Sequence, residues 1–256
     1  MELNSQIKTA LADPHKKILL MTHIVLGYPS LEINRQVIEQ MVANGVDLIE
    51  MQIPFSEPMA DGPVIVKANQ AAIEQGITVR RCLDFAKEIT AAHPIPFLFM
   101  TYYNILFKFG VEEFFRKARE IGIKGFIIPD LPPEEGEEFF ALSRRYDIAP
   151  ILIFAPTSTP ERMQVLSRLS RGFIYCVARK GVTGKQTDFN ESFNDYMRAC
   201  RENTELPLAV GFGISRKEDV DFLTGKADIA VIGTRTINLV EEQGADAVGP
   251  FISGLR

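Results

Sequence analysis

The chain has 256 residues, of which 46% are hydrophobic and 24% charged, as in an ordinary globular protein. This composition excludes a disordered chain, a disulfide-stapled miniprotein and a collagen-like protein. With 28 Lys and Arg against 33 Asp and Glu, the net charge is −5, and the sequence has no basic stripe for nucleic-acid phosphates. A locally positive site for a small anionic substrate is compatible with this balance.

The cysteine and histidine spacing indicates reduced thiols and no metal site. Cys82, Cys176 and Cys200 form no CxxC pair, and the three histidines lie far apart. The amino terminus, residues 1–13, predicts a short helix and lacks the basic start, apolar run and cleavage site of a secretion signal. No stretch approaches the roughly 18 apolar residues of a membrane span. We therefore expect a cytoplasmic protein that does not bind membranes.

Short apolar runs alternate with longer amphipathic stretches along the chain. The runs are rich in Ile, Val, Leu and Phe, which is typical of parallel strands covered on both faces. They comprise Ile18–Ile24, Leu48–Ile53, Phe97–Thr101, Phe126–Ile128, Pro150–Phe154, Phe173–Val177, Leu208–Gly211 and Ile229–Ile232. Strands that alternate with helices in this number and length predict an α/β fold, a (β/α)8 TIM barrel that forms a single domain over residues 1–256. An open doubly wound sheet is the alternative, although no GxGxxG motif follows the first strand.

The second strand contains a candidate acid–base group. In a barrel the active site lies at the carboxyl ends of the strands. Side-chain alternation leaves Leu48, Glu50 and Gln52 pointing into the barrel, while Ile49 and Met51 face the outer helices. Desolvation among apolar walls favours the protonated form of a carboxyl group, which suits general acid–base catalysis. The alternative is a structural carboxylate paired with a buried basic group.

Two loops are candidates for covering the barrel mouth. The proline-rich segment Pro54–Pro63 follows the second strand. Within it, Asp61 is either a second carboxylate facing Glu50 across a substrate or the cap of a helix from about Pro63 to Glu74. The basic, glycine-hinged segment Arg179–Lys185 follows the sixth strand and is either a lid that excludes water or an ordinary surface loop.

Glycines lie at the ends of the last two predicted strands, in the segments Val210-Gly211-Phe212-Gly213 and Val231-Ile232-Gly233-Thr234. Backbone N–H groups at helix starts bind phosphate, and the loops after strands seven and eight are the usual phosphate site of this barrel. These segments therefore predict a phosphate site, with simple turn geometry as the alternative. No lysine lies inside an apolar strand, the environment that favours Schiff-base chemistry; Lys180 lies just past a strand end.

Several motifs resemble those of the tryptophan synthase alpha subunit family. Residues 53–63, IPFSEPMADGP, resemble the family signature IPFSDPxADGP. MTYYN at 100–104, IPDLP at 128–132, GVTG at 181–184 and VGFGIS at 210–215 match the family in the same order. The resemblance covers nearly the whole chain. It implies a phosphate-binding (β/α)8 barrel lyase that cleaves indole-3-glycerol phosphate to indole and glyceraldehyde 3-phosphate, a retro-aldol step of tryptophan biosynthesis.

The resemblance also implies roles for individual residues. Glu50 would protonate C3 of the indole and take the proton of the glycerol C3′ hydroxyl. Asp61 would accept a hydrogen bond from the indole N–H, and Tyr175 would lie against the substrate and Glu50. The implied phosphate contacts are Gly184, Gly213, Gly233 and Thr234, and the implied indole pocket is Met100, Ile128 and Phe212.

The family resemblance implies a partner and no cofactor in this chain. Pyridoxal phosphate is expected in a beta subunit that converts indole to tryptophan, within an α2β2 complex. Three residues depart from the family pattern: Gln52 replaces glycine, Glu57 replaces aspartate and Thr234 replaces serine. None of these changes removes a catalytic group. Gln52 and Glu57 nevertheless leave open the alternative of a weakly active subunit that mainly activates its partner. A further alternative is another phosphate-sugar lyase or isomerase on the same barrel.

Overall fold

A computed structural model describes residues 2–177, 191–211 and 213–256 of the chain. In these ranges, nine short parallel strands form a nearly closed barrel. The strands are β1 Leu19–Val25, β2 Leu48–Gln52, β3 Phe97–Met100, β4 Gly125–Ile127, β5 Ala149–Ile151, β6 Ile153–Phe154, β7 Ile174–Val177, β8 Leu208–Gly211 and β9 Ile229–Ile232. Their order in the sheet is β5-β4-β3-β2-β1-β9-β8-β7-β6.

β5 and β6 lie at opposite ends of this order, yet only Leu152 separates them in the chain. β5 pairs with β4, β6 pairs with β7, and the N–H of Tyr175 donates to the carbonyl of Leu152 at 3.0 Å. The two are therefore halves of one strand, the predicted run Pro150–Phe154, and the barrel closes through it. The predicted (β/α)8 barrel is confirmed, and the open doubly wound sheet is wrong. The division into a single domain stays a prediction.

Helices connect the strands and pack around them. The α-helices are α1 Leu3–Leu11, α2 Leu31–Ala43, α3 Pro63–Glu74, α4 Val79–Ala92, α5 Tyr103–Phe109, α6 Val111–Ile121, α7 Glu137–Tyr146, α8 Pro160–Leu169, α9 Glu191–Glu202, α10 Lys217–Leu223, α11 Thr234–Gln243 and α12 Val248–Ser253. The predicted helix at the amino terminus is α1, and the one predicted after the proline-rich loop is α3. Across the described residues, none of the helices is long and apolar enough to cross a membrane.

The apolar core has two layers, because strand side chains alternate between the barrel interior and the surrounding helices. Ile49 and Met51 of β2 belong to the outer layer, which packs against the helices. Leu48 of the same strand belongs to the inner layer, which fills the barrel. The predicted facing of β2 is therefore confirmed.

α1 closes the amino-terminal end of the barrel with Leu3 and Ile7, both of which belong to the inner layer. A Cβ atom added at Gly172, just before β7, would lie 2.7 Å from Cδ2 of Leu3, and one added at Gly125, the first residue of β4, would lie 3.3 Å from it. The two glycines therefore give the helix room to approach. The carboxyl ends of the strands remain as the open mouth of the barrel.

Candidate active site

Three polar side chains follow the apolar inner layer toward the mouth of the barrel. Glu50 and Gln52 occupy the inward positions of β2 beyond Leu48, and both are buried. On the neighbouring strand β1, buried His23 is the register partner of Glu50. The parallel pairing of β1 and β2 thus brings an imidazole and a carboxyl group together at the same height in the barrel.

Glu50 is 3% exposed, and its two carboxyl oxygens have different hydrogen-bonding surroundings. Oε1 lies 3.1 Å from Nδ1 of His23. Oε2 is buried and has no hydrogen-bond partner among the described residues. Leaving a buried acceptor unpaired costs about 1–3 kcal/mol, so Oε2 is the oxygen that a ligand would satisfy. The alternative of a carboxylate paired with a buried base therefore describes one oxygen of Glu50 and leaves the other available.

The acidic side chains around His23 change the pKa of its imidazole. Burial opposes its protonation and is the largest single effect, but the negative charge of Glu50 and the hydrogen bond to it act against burial, and the pKa of His23 is raised above its ordinary value. The charge of Asp61 and the amide of Gln52 act in the same direction. The imidazole thus remains protonated to higher pH than an isolated histidine would.

Asp61 lies beside this pair and is 8% exposed. Its Oδ2 accepts hydrogen bonds from Nε2 of Gln52 at 2.7 Å and from Oη of Tyr102 at 2.9 Å. Burial raises the pKa of Asp61, against the opposing effect of the Gln52 hydrogen bond and the smaller effects of His23 and Tyr102. The N-cap residue of α3 is Gly62, so the structure favours the carboxylate interpretation of Asp61 over the capping one.

Tyr102 anchors the loop that carries Asp61. It is fully buried, its ring stacks on Phe55 with centroids 5.1 Å apart, and its hydroxyl oxygen accepts a hydrogen bond from the N–H of Ala60 at 3.0 Å. Burial raises the pKa of the Tyr102 hydroxyl, and the charge of Asp61 raises it further, so this group acts as a neutral donor. One hydroxyl therefore holds both the loop backbone and the acid.

Tyr175 of β7 is half-buried at the edge of the inner layer. Burial and the charges of Glu50 and Asp61 raise the pKa of its hydroxyl well above the ordinary value, which sets Tyr175 within the field of both acids. A Cβ atom at Gly211, in the adjacent strand β8, would lie 2.8 Å from Oη of Tyr175. Glycine at that position is what allows the ring to occupy the mouth.

The structure describes three of the four residues predicted to bind phosphate. Gly233 is the N-cap of α11 and Thr234 is its first residue, while Gly213 follows β8 with a φ of 70°. A Cβ atom at Gly233 would lie 3.5 Å from Cβ of His23, so the start of α11 adjoins the acidic end of the site. Gly184 lies outside the described residues.

Of the predicted indole contacts, Met100 belongs to the inner layer at the end of β3. The expectation for Ile128 is corrected, because its side chain packs in the outer layer among the helices. Ile127, one residue earlier, faces the barrel interior. Phe212 lies outside the described residues, as does the segment 179–185 that was considered as a lid.

His23 and Tyr102 are two site residues that sequence reasoning missed. The inward alternation Leu19, Met21, His23 along β1 was a usable signal for the histidine. Tyr102 follows a strand end, but nothing local indicates that its hydroxyl reaches back to Asp61. Among the described residues, no group of three or more His, Cys, Asp or Glu side chains is arranged to hold a metal ion.

A (β/α)8 barrel with two buried carboxyl groups at its mouth has the architecture of an acid–base enzyme. The profile of the tryptophan synthase alpha chain family matches residues 10–249. The chain is 65% identical over 241 residues to the tryptophan synthase alpha chain of Desulfotalea psychrophila, covering 94% of this chain and 95% of that protein. It is 55% identical to that of Syntrophotalea carbinolica, covering 99% and 100%. The chain therefore belongs to the tryptophan synthase alpha chain family, whose reaction is that of a lyase.

Solved structures agree with this assignment. A structure from Aquifex aeolicus superimposes with a TM-score of 0.91 at 34% identity, covering 100% of this chain and 98% of that one. A tryptophan synthase structure from Mycobacterium tuberculosis gives a TM-score of 0.91 at 28% identity, covering 99% and 96%. A tryptophan synthase complex from Pyrococcus furiosus gives 0.84 at 27% identity, covering 93% and 97%.

Substitution of Tyr102 tests the hydrogen bonding of Asp61. Tyr102→Phe removes one of the two donors to Oδ2, and because that bond lowers the pKa of Asp61, its loss raises this pKa further. A ¹³C NMR titration of the Asp61 carboxyl group should therefore show a higher midpoint in the variant. Tyr103→Phe is the control, since the bond recorded for Tyr103 runs from its backbone to Asp130. An equal or lower midpoint in Tyr102→Phe would contradict the assignment.

Proposed function

We propose that this chain is the alpha subunit of tryptophan synthase and catalyses the retro-aldol cleavage of indole-3-glycerol phosphate to indole and glyceraldehyde 3-phosphate. Family membership supplies the reaction. The observation that supports the proposal in this chain is the pair of buried carboxyl groups at the barrel mouth, Glu50 and Asp61. Gln52, which shares one face of β2 with Glu50, donates a hydrogen bond to Asp61. Both groups lie on the side of the barrel from which a substrate enters.

Glu50 is the proposed acid–base. Cleavage of the bond between indole C3 and the glycerol chain requires a proton on C3 and removal of the proton from the C3′ hydroxyl. One carboxyl group at this bond can perform both steps in turn, so no proton is gained or lost overall. Oε2 of Glu50, which none of the described residues binds, is the oxygen that supports this role.

Asp61 is the proposed partner of the indole N–H. Protonation at C3 leaves positive charge on the ring nitrogen, which a nearby carboxylate stabilises. Gln52 and Tyr102 both bind Oδ2 and hold the carboxyl group in position, so the carboxylate needs little reorganisation during the reaction. Tyr175 is proposed to lie against the substrate between the two acids, and its retained proton suits it to donate a hydrogen bond.

The remaining contacts complete the substrate site. We assign the phosphate to Gly184, Gly213, Gly233 and Thr234, and the position of Gly233 and Thr234 at the start of α11 supports this for two of them. The indole ring is assigned to Met100 and Phe212, with Ile127 in place of Ile128. A phosphate at α11 and an indole between the acids would span the mouth of the barrel from β9 to β2.

A beta subunit that carries pyridoxal phosphate is the proposed partner, in a cytoplasmic α2β2 complex, and no cofactor is assigned to this chain. Solved complexes of family relatives support a partner. Two large apolar side chains are exposed on elements that follow the strand ends: Met59, 74% exposed, in the loop before α3, and Phe107, 65% exposed, on α5. We propose that the partner covers this face.

Removal of the acid–base should abolish most of the activity. Glu50→Gln keeps the volume of the side chain but cannot exchange the proton, so we expect indole formation from indole-3-glycerol phosphate to fall by at least ~100-fold in a steady-state assay. Glu39→Gln, at an exposed position of α2, is the control and should keep the native rate. A loss below about threefold in Glu50→Gln would refute the role. A native chain that forms indole only weakly even after beta subunit is added would instead favour the alternative of a weakly active subunit that mainly activates its partner.

Gly233 offers a matched pair of substitutions for the phosphate site. Alanine fits there, because its Cβ would meet His23 at the ordinary contact distance of 3.5 Å. Gly233→Asp adds a carboxylate beside the proposed phosphate, so KM should rise by at least roughly tenfold, while Gly233→Ala stays near the native value. Equal KM values for Gly233→Asp and the native chain would refute this placement.

Phe107 provides the test of the partner surface. Phe107→Asp places a charge in the proposed apolar contact, so the Kd for the beta subunit, measured by calorimetry, should rise by roughly tenfold or more. His15→Asp introduces the same residue at an exposed site on the amino-terminal side of β1 and should leave the Kd unchanged. An unchanged Kd for Phe107→Asp would place the interface elsewhere.

A further inference from the structure

The proposed chemistry leaves the buried imidazole of His23 without a role. His23 is 5% exposed, lies on β1 and faces into the barrel as the register partner of Glu50. A basic side chain in an apolar barrel is costly to bury unless a specific partner compensates. That partner is the carboxyl group proposed to perform the reaction.

The contact between His23 and Glu50 involves one carboxyl oxygen of Glu50 and leaves the other available for a ligand. Nδ1 of His23 lies 3.1 Å from Oε1 of Glu50, within the range of a hydrogen bond from an N–H donor. Oε2 has no partner among the described residues. Across the described part of the chain, Nδ1 of His23 is the one hydrogen-bonding partner of this carboxyl group, so the imidazole fixes its orientation and leaves Oε2 to face the substrate.

The base of the His23 ring lies close to the start of α11. A Cβ at Gly233 would lie 3.5 Å from Cβ and 3.9 Å from Cγ of His23, so the start of α11 closes against the base of the ring. A small cavity of about 20 Å³ beside His23 is lined by apolar side chains and by Tyr28, Asn34 and Thr236, and its described lining adds no further charged group. Among the described residues, the charged groups that act on the ring are therefore Glu50 and Asp61.

We propose that His23 is a positioning residue for the cleavage reaction: its Nδ1–H binds Oε1 of Glu50 and directs Oε2 to the substrate. This inference rests on the proposed function of Glu50. His23 does not touch the substrate in this account and acts through the carboxyl group. The raised pKa of His23 supports the pairing, because the negative charge of Glu50 and the hydrogen bond to it are the two largest effects that raise this pKa against burial.

Two substitutions separate the hydrogen bond from the bulk of the ring. His23→Phe keeps a planar ring and removes the donor, so we expect kcat for indole formation to fall at least roughly tenfold while KM changes little, because the carboxyl group is misplaced and the phosphate contacts remain. His23→Asn retains an N–H donor near the position of Nδ1 and should recover most of the native kcat. If His23→Phe keeps the native kcat, or if His23→Asn loses as much as His23→Phe, the proposal fails.

An NMR titration tests the pairing without an activity readout. The His23 imidazole, followed by ¹⁵N NMR, should titrate above the ordinary value of 6.5 in the native chain, and in Glu50→Gln the midpoint should fall. An unchanged midpoint in Glu50→Gln would overturn the pairing even if His23→Phe did not fold. A native chain without cleavage activity would instead refute the proposed function, so the two failures are distinguishable.

Discussion

The burial of two carboxyl groups at the mouth of an otherwise apolar barrel is the constraint on which the rest of the site depends. Removing an ionised carboxylate from water costs several kcal/mol unless donors replace the lost hydration. The donors here come from neighbouring strands and from one tyrosine. His23 binds Glu50, while Gln52 and Tyr102 donate hydrogen bonds to Asp61.

The two carboxyl groups receive different numbers of hydrogen bonds, and this difference suits catalysis. Asp61 receives two hydrogen bonds on one oxygen and is held in place. Glu50 receives one from His23, and its other, buried oxygen has no partner within the described ranges. The first arrangement suits a group that only stabilises charge, and the second suits a group that must exchange a proton. Gln52, a departure from the family pattern, therefore belongs to the site, since its amide is the link between β2 and Asp61.

Much of this architecture could be predicted from the sequence, because its signals are local. The apolar runs located the barrel strands, and alternation along β2 predicted that Glu50 and Gln52 face inward. Asp61 was left between two interpretations, since an acid before a helix fits a cap as well as a catalytic group. The hydrogen bond that supports the catalytic interpretation comes from Tyr102, a residue 41 positions away in the chain.

Two features of the site could not be predicted from the sequence: the residue that pairs with Glu50 and the residue of β4 that faces the barrel interior. The pairing of His23 with Glu50 requires the alignment of β1 against β2, which no local pattern specifies. Ile128 was expected in the indole pocket, but it follows the last residue of β4 and packs among the helices, whereas Ile127 faces the barrel interior. Side chains alternate, so an error of one position moves a residue from the substrate side to the helix side.

The most direct measurement is a crystal structure of the chain with a non-cleavable indolyl-alkyl phosphate bound. The account predicts the indole between the two acids, its N–H on Asp61, the first carbon of its side chain beside Oε2 of Glu50, and the phosphate at the start of α11. An indole bound away from the two acids, or a phosphate distant from Gly233, would contradict it.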